Sequence, residues 1–325
     1  MIQLGIRLHD VNAGLSPAEQ TMEARAEKAR EEGFSCVHLA YSKVISGVKF
    51  DDAALNPGLA LYTRRVFASR ELDVAVLGCY LNLAHPDPGE LAKIQSRCFG
   101  HIRVAALLGA SVVGTETGCP NAAYKTDEQT HSEAALDSFI RGLAPVVETA
   151  ERFGVCVAIE PVWKHIVCNA ERAKRVIDVL RSKNLRIIFD PVNLLCPENL
   201  DQREAIFGEM IDSLADRIDV VHLKDYVPAG DDLKSVAACT GEMDYTTVLR
   251  FIKARKPYLQ ATLENTTNDN AVWSREQIQN LFDSIYGELC RGLQRHQAHH
   301  PRRRQYHRRR HEHPQPDEYE FRHQR

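Results

Sequence analysis

Eight short apolar segments alternate with longer amphipathic segments between residues 3 and 285 of the chain. The apolar segments cover residues 3–8, 35–40, 73–81, 110–117, 154–160, 185–190, 217–225 and 258–265. Near-continuous apolar strands that alternate with helices are typical of a parallel sheet covered by helices. Eight strand–helix units in a chain of this length predict a closed (β/α)8 TIM barrel, which is an α/β fold.

An open, doubly wound parallel sheet is the alternative for the same alternation. That fold usually carries a glycine-rich phosphate-binding turn, GxGxxG, after its first strand. The residues that follow the first apolar segment here are HDVNAGLSP, which lack this pattern. The sequence therefore favours the barrel.

Several amphipathic segments carry helix start and stop signals. The first predicted helix has Ser16 as its N-cap, Pro17 in its first turn and Gly33 at its end. Asp244 is the predicted N-cap of a helix over residues 245–255. The other predicted helices cover residues 57–71, 89–108, 128–153, 170–181 and 274–285, with helical material also up to residue 214.

Residues 288–325 differ in composition from residues 1–287, which form the predicted barrel. From Arg291 to Arg325 there are ten arginines and four acidic residues, a net charge of +6, so the rest carries −9 of the total of −3. This tail is rich in His, Gln and Pro and lacks aliphatic periodicity, which predicts disorder. Nucleic-acid or anion binding through RRRQYHRRR, metal binding by its histidines, and an extension without function are the alternatives.

The nine cysteines are scattered without a CxxC pair, and three of them lie in apolar segments. Unpaired, buried cysteines are typical of a reducing compartment. The sequence starts on an apolar strand without the pattern of a signal peptide, and it contains no run of about 18 apolar residues. We therefore expect a cytoplasmic protein with no membrane partner.

Four of the predicted strands carry a potential metal ligand near their carboxyl end. The fifth and sixth apolar segments end on Glu160 and Asp190. The seventh has His222 near its end, and the eighth has Glu264 as its second-to-last residue. Their spacings of 30, 32 and 42 residues are near the size of a strand-plus-crossover unit. Because the carboxyl ends of barrel strands meet at one mouth, we expect these side chains to face a common point.

Three carboxylates and one imidazole form a hard, mostly oxygen ligand set. We expect this set to bind a divalent metal, Mn²⁺ first, with Co²⁺, Mg²⁺, Fe²⁺ and Zn²⁺ as the alternatives. Three acids held close together would repel one another without a cation. Salt bridging at the barrel rim would explain any one of these residues alone, but the ordered set of four favours a metal site.

The chain resembles the sugar phosphate isomerase/epimerase family, whose members have a xylose isomerase-like TIM barrel. The resemblance covers roughly residues 2–287 and rests on VAIEP, IIFDPVN, VHLKD, CTGEMDY and ATLEN. The wider superfamily includes ketose 3-epimerases, inosose dehydratase, hydroxypyruvate isomerase and endonuclease four. The resemblance implies that Glu160, Asp190, His222 and Glu264 bind a divalent metal, and that the two glutamates exchange the substrate proton as in the 3-epimerases.

Two positions differ from the 3-epimerase pattern. Those enzymes have a His three residues after the Asp and an Arg six residues after the metal-binding His, where this chain has Asn193 and Pro228. These differences argue against a standard ketose 3-epimerase, while VHLKD is similar to inosose dehydratase. The segment PAGDDLKS lacks the DxH pair that endonuclease four needs, which argues against DNA repair.

The predicted chemistry is proton transfer next to a carbonyl group. A metal that binds a carbonyl oxygen and the neighbouring hydroxyl acidifies the α C–H bond. Glu160 and Glu264 are our candidates to remove and return that proton. Lys224 is the third catalytic candidate, to stabilise an enolate or protonate a leaving group, and a rim lysine paired with Asp225 is its alternative.

The residues that follow the strand ends are candidates for substrate contacts. Trp163 has a ring that can stack on a sugar, and His165 is a candidate to contact the substrate. For both residues, packing within the loop is the alternative. A buried hydrogen-bonding role is the alternative for Glu116, and His38 is expected to be a core or mouth histidine. The predicted substrate-binding residues are Asn193, His165, Glu116, Trp163 and His85.

The sequence thus predicts a metal-dependent isomerase or epimerase that acts on a small sugar, keto-sugar or cyclitol through an enediolate. A lyase similar to inosose dehydratase, or one that eliminates from a keto-glycoside, is the alternative with the same site. The rival class is a non-catalytic barrel that binds sugar or nucleic acid. The acidic charge of the barrel argues against nucleic acid, so a small polyol or sugar is the expected partner, and a homo-oligomer is compatible with the sequence.

Overall fold

The computed structural model describes residues 2–12, 16, 19–51 and 53–298, with side chains up to residue 285. The predicted barrel is confirmed, because eight parallel strands close into a ring in which the first and last strands pair. The strands are β1 Gln3–Arg7, β2 Cys36–Leu39, β3 Asp73–Gly78, β4 Val112–Glu116, β5 Val157–Glu160, β6 Leu185–Phe189, β7 Ile218–Leu223, β8 Asp225–Ala229, β9 Asp232–Val236 and β10 Gln260–Leu263.

An antiparallel hairpin follows β7 and does not belong to the barrel. Its strands, β8 and β9, pair only with each other, and β10 takes the eighth place in the ring between β7 and β1. The sequence analysis did not predict this hairpin. Its residues from Pro228 to Asp232 are exposed and polar or small, so they lack the apolar alternation that marks a strand packed on a core.

Helices connect the barrel strands. They are α1 Met22–Glu31, α2 Tyr41–Val44, α3 Pro57–Ala68, α4 Pro88–Leu108, α5 Glu133–Phe153, α6 Ala170–Leu180, α7 Arg203–Leu214, α8 Thr246–Arg255 and α9 Ala271–Ala298. Their caps explain most of the boundaries. For example, Asp87 accepts a hydrogen bond from the Glu90 amide at the start of α4, and Gly109 ends that helix in the left-handed conformation.

Two predicted helix starts are wrong by a few residues. The N-cap of α1 is Thr21, whose hydroxyl accepts from the Ala24 amide at 3.2 Å, whereas Ser16 bonds to Glu19. Pro17 lies outside the described residues. Asp244 accepts from the Thr246 amide at 2.8 Å, but Tyr245 is the N-cap of α8.

The compact unit of the chain is Met1–Ile285, close to the predicted barrel domain. The last helix is longer than predicted, because α9 continues to Ala298 and includes residues 288–298 of the predicted disordered tail. Residues 299–325 of that tail lie outside the described residues. Among the described residues, no helix has both the length and the apolar character that crossing a bilayer requires.

The barrel has a small inner core beneath the carboxyl ends of its strands. The inner core contains Cys36, Ala75, Val76, Val112, Ala158, Ile188 and Val220. The interior is packed so closely at Gly114 that a Cβ there would lie 2.7 Å from Ile188 Cδ1, so this position requires glycine. Ala158 and Ile188 point inward, so strand alternation sends Glu160 and Asp190, two residues further on, toward the same axis.

Candidate metal centre

Four polar side chains from consecutive barrel strands meet at the carboxyl ends of β5, β6, β7 and β10. Glu160 is the last residue of β5, Asp190 and Glu264 directly follow β6 and β10, and His222 is the fifth residue of β7. All four are buried, and His222 is fully inaccessible to solvent. The structure therefore brings together the four residues that the sequence predicted as metal ligands.

The imidazole of His222 lies at the centre of the carboxylates. Its Nδ1 atom is 3.5 Å from Glu160 Oε1, 3.5 Å from Glu264 Oε1 and 3.9 Å from Asp190 Oδ2. Ligand atoms bound to one octahedral ion at about 2.2 Å lie about 3.0–4.4 Å from one another. The observed separations fall inside that range.

Neither ring nitrogen of His222 has a hydrogen-bond partner, although the ring is fully buried. Buried imidazole nitrogens are normally paired, because an unpaired polar group in the interior costs about 1–3 kcal/mol. A cation among Glu160, Asp190, His222 and Glu264 would satisfy the Nδ1 atom and offset the charge of the carboxylates. The residues present therefore fit a divalent metal.

Lys224 and Asn193 connect two of the carboxylates. The ammonium of Lys224 lies 2.6 Å from Asp190 Oδ2 and donates to Asn193 Oδ1 at 2.7 Å. The amide of Asn193 in turn donates to Glu160 Oε1 at 2.6 Å. Lys224 thus pairs with Asp190 and not with Asp225, and both predicted side chains lie inside the cluster.

Arg7 and His38 reach the same cluster from β1 and β2, the two strands that follow β10 around the ring. His38 Nδ1 lies 3.3 Å from Glu264 Oε1, and its ring stacks on His222 with the centroids 5.2 Å apart. Arg7 lies 3.4 Å from Glu264 Oε2 and also binds Asp10 with two nitrogens. The sequence analysis did not single out Arg7, and it left His38 open between a core and a mouth position.

The charges of the cluster perturb the pKa values of its members. Burial alone would lower the pKa of His222, but the charges of Glu264 and Glu160 outweigh burial and raise it to about 9. Burial would raise the pKa of Glu264, but His222 and Lys224 hold it well below its usual range. Without a metal, His222, Lys224 and Arg7 therefore offset negative charge in the cluster, while burial raises the pKa of Asp190.

Glu116 forms a second polar group at the mouth with Tyr124 and His165. Burial and the nearby charge of Glu160 raise the pKa of Glu116 to about 7. The hydroxyl of Tyr124 donates to Glu116 Oε2 at 3.1 Å, and His165 Nδ1 lies 3.8 Å from the same oxygen. Glu116 therefore sits beside the cluster, with a carboxyl group that can exist in both protonation states near neutral pH.

The other two predicted substrate contacts are held by backbone bonds. The amide of Trp163 donates to the Asn193 carbonyl at 2.8 Å, and the ammonium of Lys164 covers the Trp163 ring at 5.0 Å from its centroid. His85 Nδ1 accepts from the Asp87 amide at 3.1 Å, at the start of α4. Trp163 is thus tied to the loop that carries Asn193, whereas the bond of His85 is local.

Comparisons with known proteins agree with this architecture. A family model described as a xylose isomerase-like TIM barrel matches residues 26–283. No curated protein matches the sequence. Among solved structures, a D-tagatose 3-epimerase-like protein is similar with a TM-score of 0.67 and 18% identity, over 88% of this chain and 99% of that chain.

Two further solved structures have the same fold. The IOLI protein with a bound zinc atom has a TM-score of 0.64 and 14% identity, over 87% of this chain and 98% of that chain. The 3-keto-D-glucoside 4-epimerase YcjR from E. coli has a TM-score of 0.61 and 15% identity, over 86% of this chain and 99% of that chain.

Proposed function

The chain belongs to the xylose isomerase-like TIM barrel family, and from this membership and its site we propose that it is a metal-dependent isomerase or epimerase of a small sugar, keto-sugar or cyclitol. The proposed metal ligands are Glu160, Asp190, His222 and Glu264. Mn²⁺ is the first candidate, with Co²⁺, Mg²⁺, Fe²⁺ and Zn²⁺ as alternatives. The substrate class agrees with similar structures named as a D-tagatose 3-epimerase-like protein and a 3-keto-D-glucoside 4-epimerase.

The observation that carries this proposal is the environment of His222. Its ring is fully buried, both nitrogens lack a hydrogen bond, and three carboxylates surround its Nδ1 atom within 3.9 Å. A set of rim salt bridges would pair the imidazole directly with one carboxylate at hydrogen-bonding distance. The longer separations around a shared centre support a cation site.

When bound, the metal would polarise a substrate carbonyl and its neighbouring hydroxyl and so acidify the C–H bond between them. Glu160 is then the better placed base. Asn193 holds its Oε1 atom, while its Oε2 atom makes no hydrogen bond or ion pair with any residue that the structure describes. This free oxygen can remove the proton to give the enediolate.

Glu264 is the weaker base of the two proposed acid/base residues. Its Oε1 atom faces His38 and His222, and its Oε2 atom faces Arg7 at 3.4 Å and Lys224 at 3.6 Å. These groups stabilise its negative charge, and its pKa lies well below the usual range. We therefore assign the first proton abstraction to Glu160 and proton exchange on the other face to Glu264.

A lyase is the second candidate, and the position of Lys224 favours it. Burial would lower the pKa of Lys224, but the charges of Asp190 and Glu264 outweigh burial and raise it, so the side chain stays protonated. This ammonium, linked to Glu160 through Asn193, can donate a proton to the strongly basic oxygen of a departing β-hydroxyl or β-glycoside. Asn193 keeps Lys224 oriented by accepting from its Nζ atom at 2.7 Å.

Proton exchange in D₂O tests the proposed function and separates the two reaction classes. The full chain is incubated with Mn²⁺ and a panel of keto-sugars and inososes, and deuterium incorporation is followed by NMR. Deuterium in an epimer or isomer supports the isomerase, and deuterium with loss of water or of an alcohol supports the lyase. Sugar binding without exchange or product would leave a non-catalytic barrel and contradict the proposal.

Variants of the two glutamates sharpen this test. Glu160→Gln is expected to lower exchange by about 100-fold or more, since it removes the base. Glu148→Gln is the matched control, because Glu148 is exposed on α5 and lies outside the site. Equal exchange in Glu160→Gln and Glu148→Gln would contradict the assignment of Glu160 as the base.

A further inference from the structure

A small pocket with apolar and basic walls lies beside the mouth of the barrel, next to the ends of β2 and β3. Its volume is about 130 Å³. The walls come from the residues after β2, the end of β3 and the residues after it, and the inner side of α4. They include Lys43, Tyr80, Arg97 and His101, with Ser42 and Tyr41, and contain no carboxylate. We propose that Arg97 and Lys43 make this pocket a binding site for an anionic group, a phosphate or a carboxylate.

Arg97 is the strongest argument for this site. Its Nε atom is buried and has no hydrogen-bond partner, and its guanidinium makes no ion pair with any residue that the structure describes. Three other buried or partly buried arginines of the chain are paired with carboxylates, while Arg25, Arg203 and Arg217 bond to carbonyl, amide or hydroxyl oxygens. The three carboxylate pairs are Arg7 with Asp10, Arg172 with Glu133 and Arg186 with Asp219. An unpaired guanidinium on the wall of a cavity indicates that its partner comes from solution.

The charge of the pocket is positive. Lys43 forms no ion pair within the described part of the chain, and it lines the same cavity as Arg97. Burial lowers the pKa of His101 to about 4, so this imidazole is neutral, and its Nδ1 bonds to the Arg97 carbonyl at 2.8 Å. Two cationic side chains therefore face the cavity without an acidic neighbour on its walls.

The chemistry of these groups selects an oxyanion. A guanidinium binds phosphate or carboxylate through two parallel N–H donors, and an ammonium adds a point charge. Arg97 also lines an open groove of about 680 Å³ with Lys49 and Lys93. Asp51 and Glu90 also line this groove, and Glu90 pairs with Lys93 at 2.7 Å, so the groove carries three cations and two carboxylates.

One aromatic side chain separates the pocket from the metal centre. Tyr80 lines the pocket, and its hydroxyl lies 3.2 Å from His38 Nε2, while His38 Nδ1 lies 3.3 Å from Glu264 Oε1. The anion is therefore either the far end of the substrate or a separate ion beside the site. The binding of the anion by Arg97 does not depend on the reaction proposed above.

Binding of inorganic phosphate to the full chain, without added metal, tests this pocket by calorimetry. Arg97→Met is expected to weaken phosphate binding by about 10- to 100-fold, since it removes a charge-assisted bidentate contact. Arg97→Lys keeps the charge and should weaken binding less. Arg141→Met is the control, because Arg141 is exposed on α5. The arginines of residues 291–325 are the same in all variants, so phosphate binding by them does not change the comparison.

Circular dichroism melting checks that each variant is folded. If Arg97→Met does not fold, the single variants Lys43→Met and Arg97→Lys replace it, and weaker phosphate binding in both is the expected result. Equal phosphate affinity in the Arg97 and Arg141 variants would overturn the proposal. A second titration compares a phosphorylated sugar with its neutral parent sugar. An Arg97-dependent preference for the phosphorylated sugar identifies the anion as part of the substrate, whereas Arg97-dependent phosphate binding without that preference identifies a separate ion.

Discussion

The Lys224 ammonium lies 2.6 Å from Asp190 Oδ2, inside a cluster of three buried carboxylates. Both side chains come from adjacent strands of the barrel, since β6 and β7 pair directly. A buried ammonium is stable only when charges of opposite sign surround it. Lys224 therefore neutralises part of the acidic cluster.

Lys224→Met tests whether this ammonium acts in catalysis as well as in charge balance. The variant removes a cation that competes for Asp190, so we expect it to bind Mn²⁺ more tightly than the wild-type chain. If Lys224 stabilises the enediolate or protonates a leaving group, product formation falls by about 100-fold or more. Metal titration and product assays on the same sample measure both effects. Tighter metal binding with unchanged turnover would restrict Lys224 to charge balance.

Asn193→Ala tests the connection between Lys224 and Glu160. The substitution removes the acceptor of Lys224 Nζ and the donor to Glu160 Oε1. Side chains that orient metal ligands typically contribute 10- to 100-fold to metal affinity or activity, and we expect a loss of about this size. Wild-type turnover and metal affinity in the variant would show that neither side chain needs Asn193 for its orientation.

The affinity for the metal should depend on pH through His222. In the metal-free chain the acidic neighbours outweigh burial and raise the pKa of His222 to about 9, so the ring is protonated at neutral pH. Metal binding must displace that proton, because only the neutral ring has a lone pair to donate. We expect Mn²⁺ affinity to rise about tenfold per pH unit below pH 9 and to level off above it. An affinity that does not change between pH 6 and pH 8 would contradict the protonated state of His222.

A histidine away from the metal centre should control part of the acid stability. Burial lowers the pKa of His101 to about 4, below the value of about 6.5 in an unfolded chain. The unfolded chain therefore binds more protons in this range, so stability is complete above pH 6.5 and falls as the pH drops toward 4. The free energy of unfolding of the wild-type chain should fall as the pH drops from 6.5 to 4. In His101→Gln this fall should be smaller by up to about 3 kcal/mol. Urea unfolding at both pH values measures the difference, and equal losses would contradict it.

The barrel and its acidic site could be predicted because local patterns encode them. Each inward-facing ligand lies at or near the carboxyl end of an apolar strand, as Glu160 ends β5 and Asp190 directly follows Leu185–Phe189. The regular order of strands and helices fixes the ring, and the ring brings successive strand ends together. For this reason spacing along the sequence was enough to group four side chains from β5, β6, β7 and β10.

The parts that could not be predicted depend on contacts between residues far apart in the sequence. Arg7 meets Glu264 over a separation of 257 residues, and no local pattern marks that arginine as part of a site. His38 lies in an apolar strand, where the sequence alone does not separate a core position from a stacked position on His222. The unpaired state of the buried Arg97 Nε atom also appears only in three dimensions, because it depends on which side chains of the described residues pack around it.

Anomalous diffraction from crystals of the full chain soaked in Mn²⁺ tests the central claim most directly. Diffraction locates the ion, which matters because residues 291–325 contain seven histidines that can also bind metal. We predict an anomalous peak about 2.2 Å from carboxylate oxygens of Glu160, Asp190 and Glu264 and from the Nδ1 atom of His222. Bound Mn²⁺ elsewhere in the crystal, with no peak among these four side chains, would contradict it.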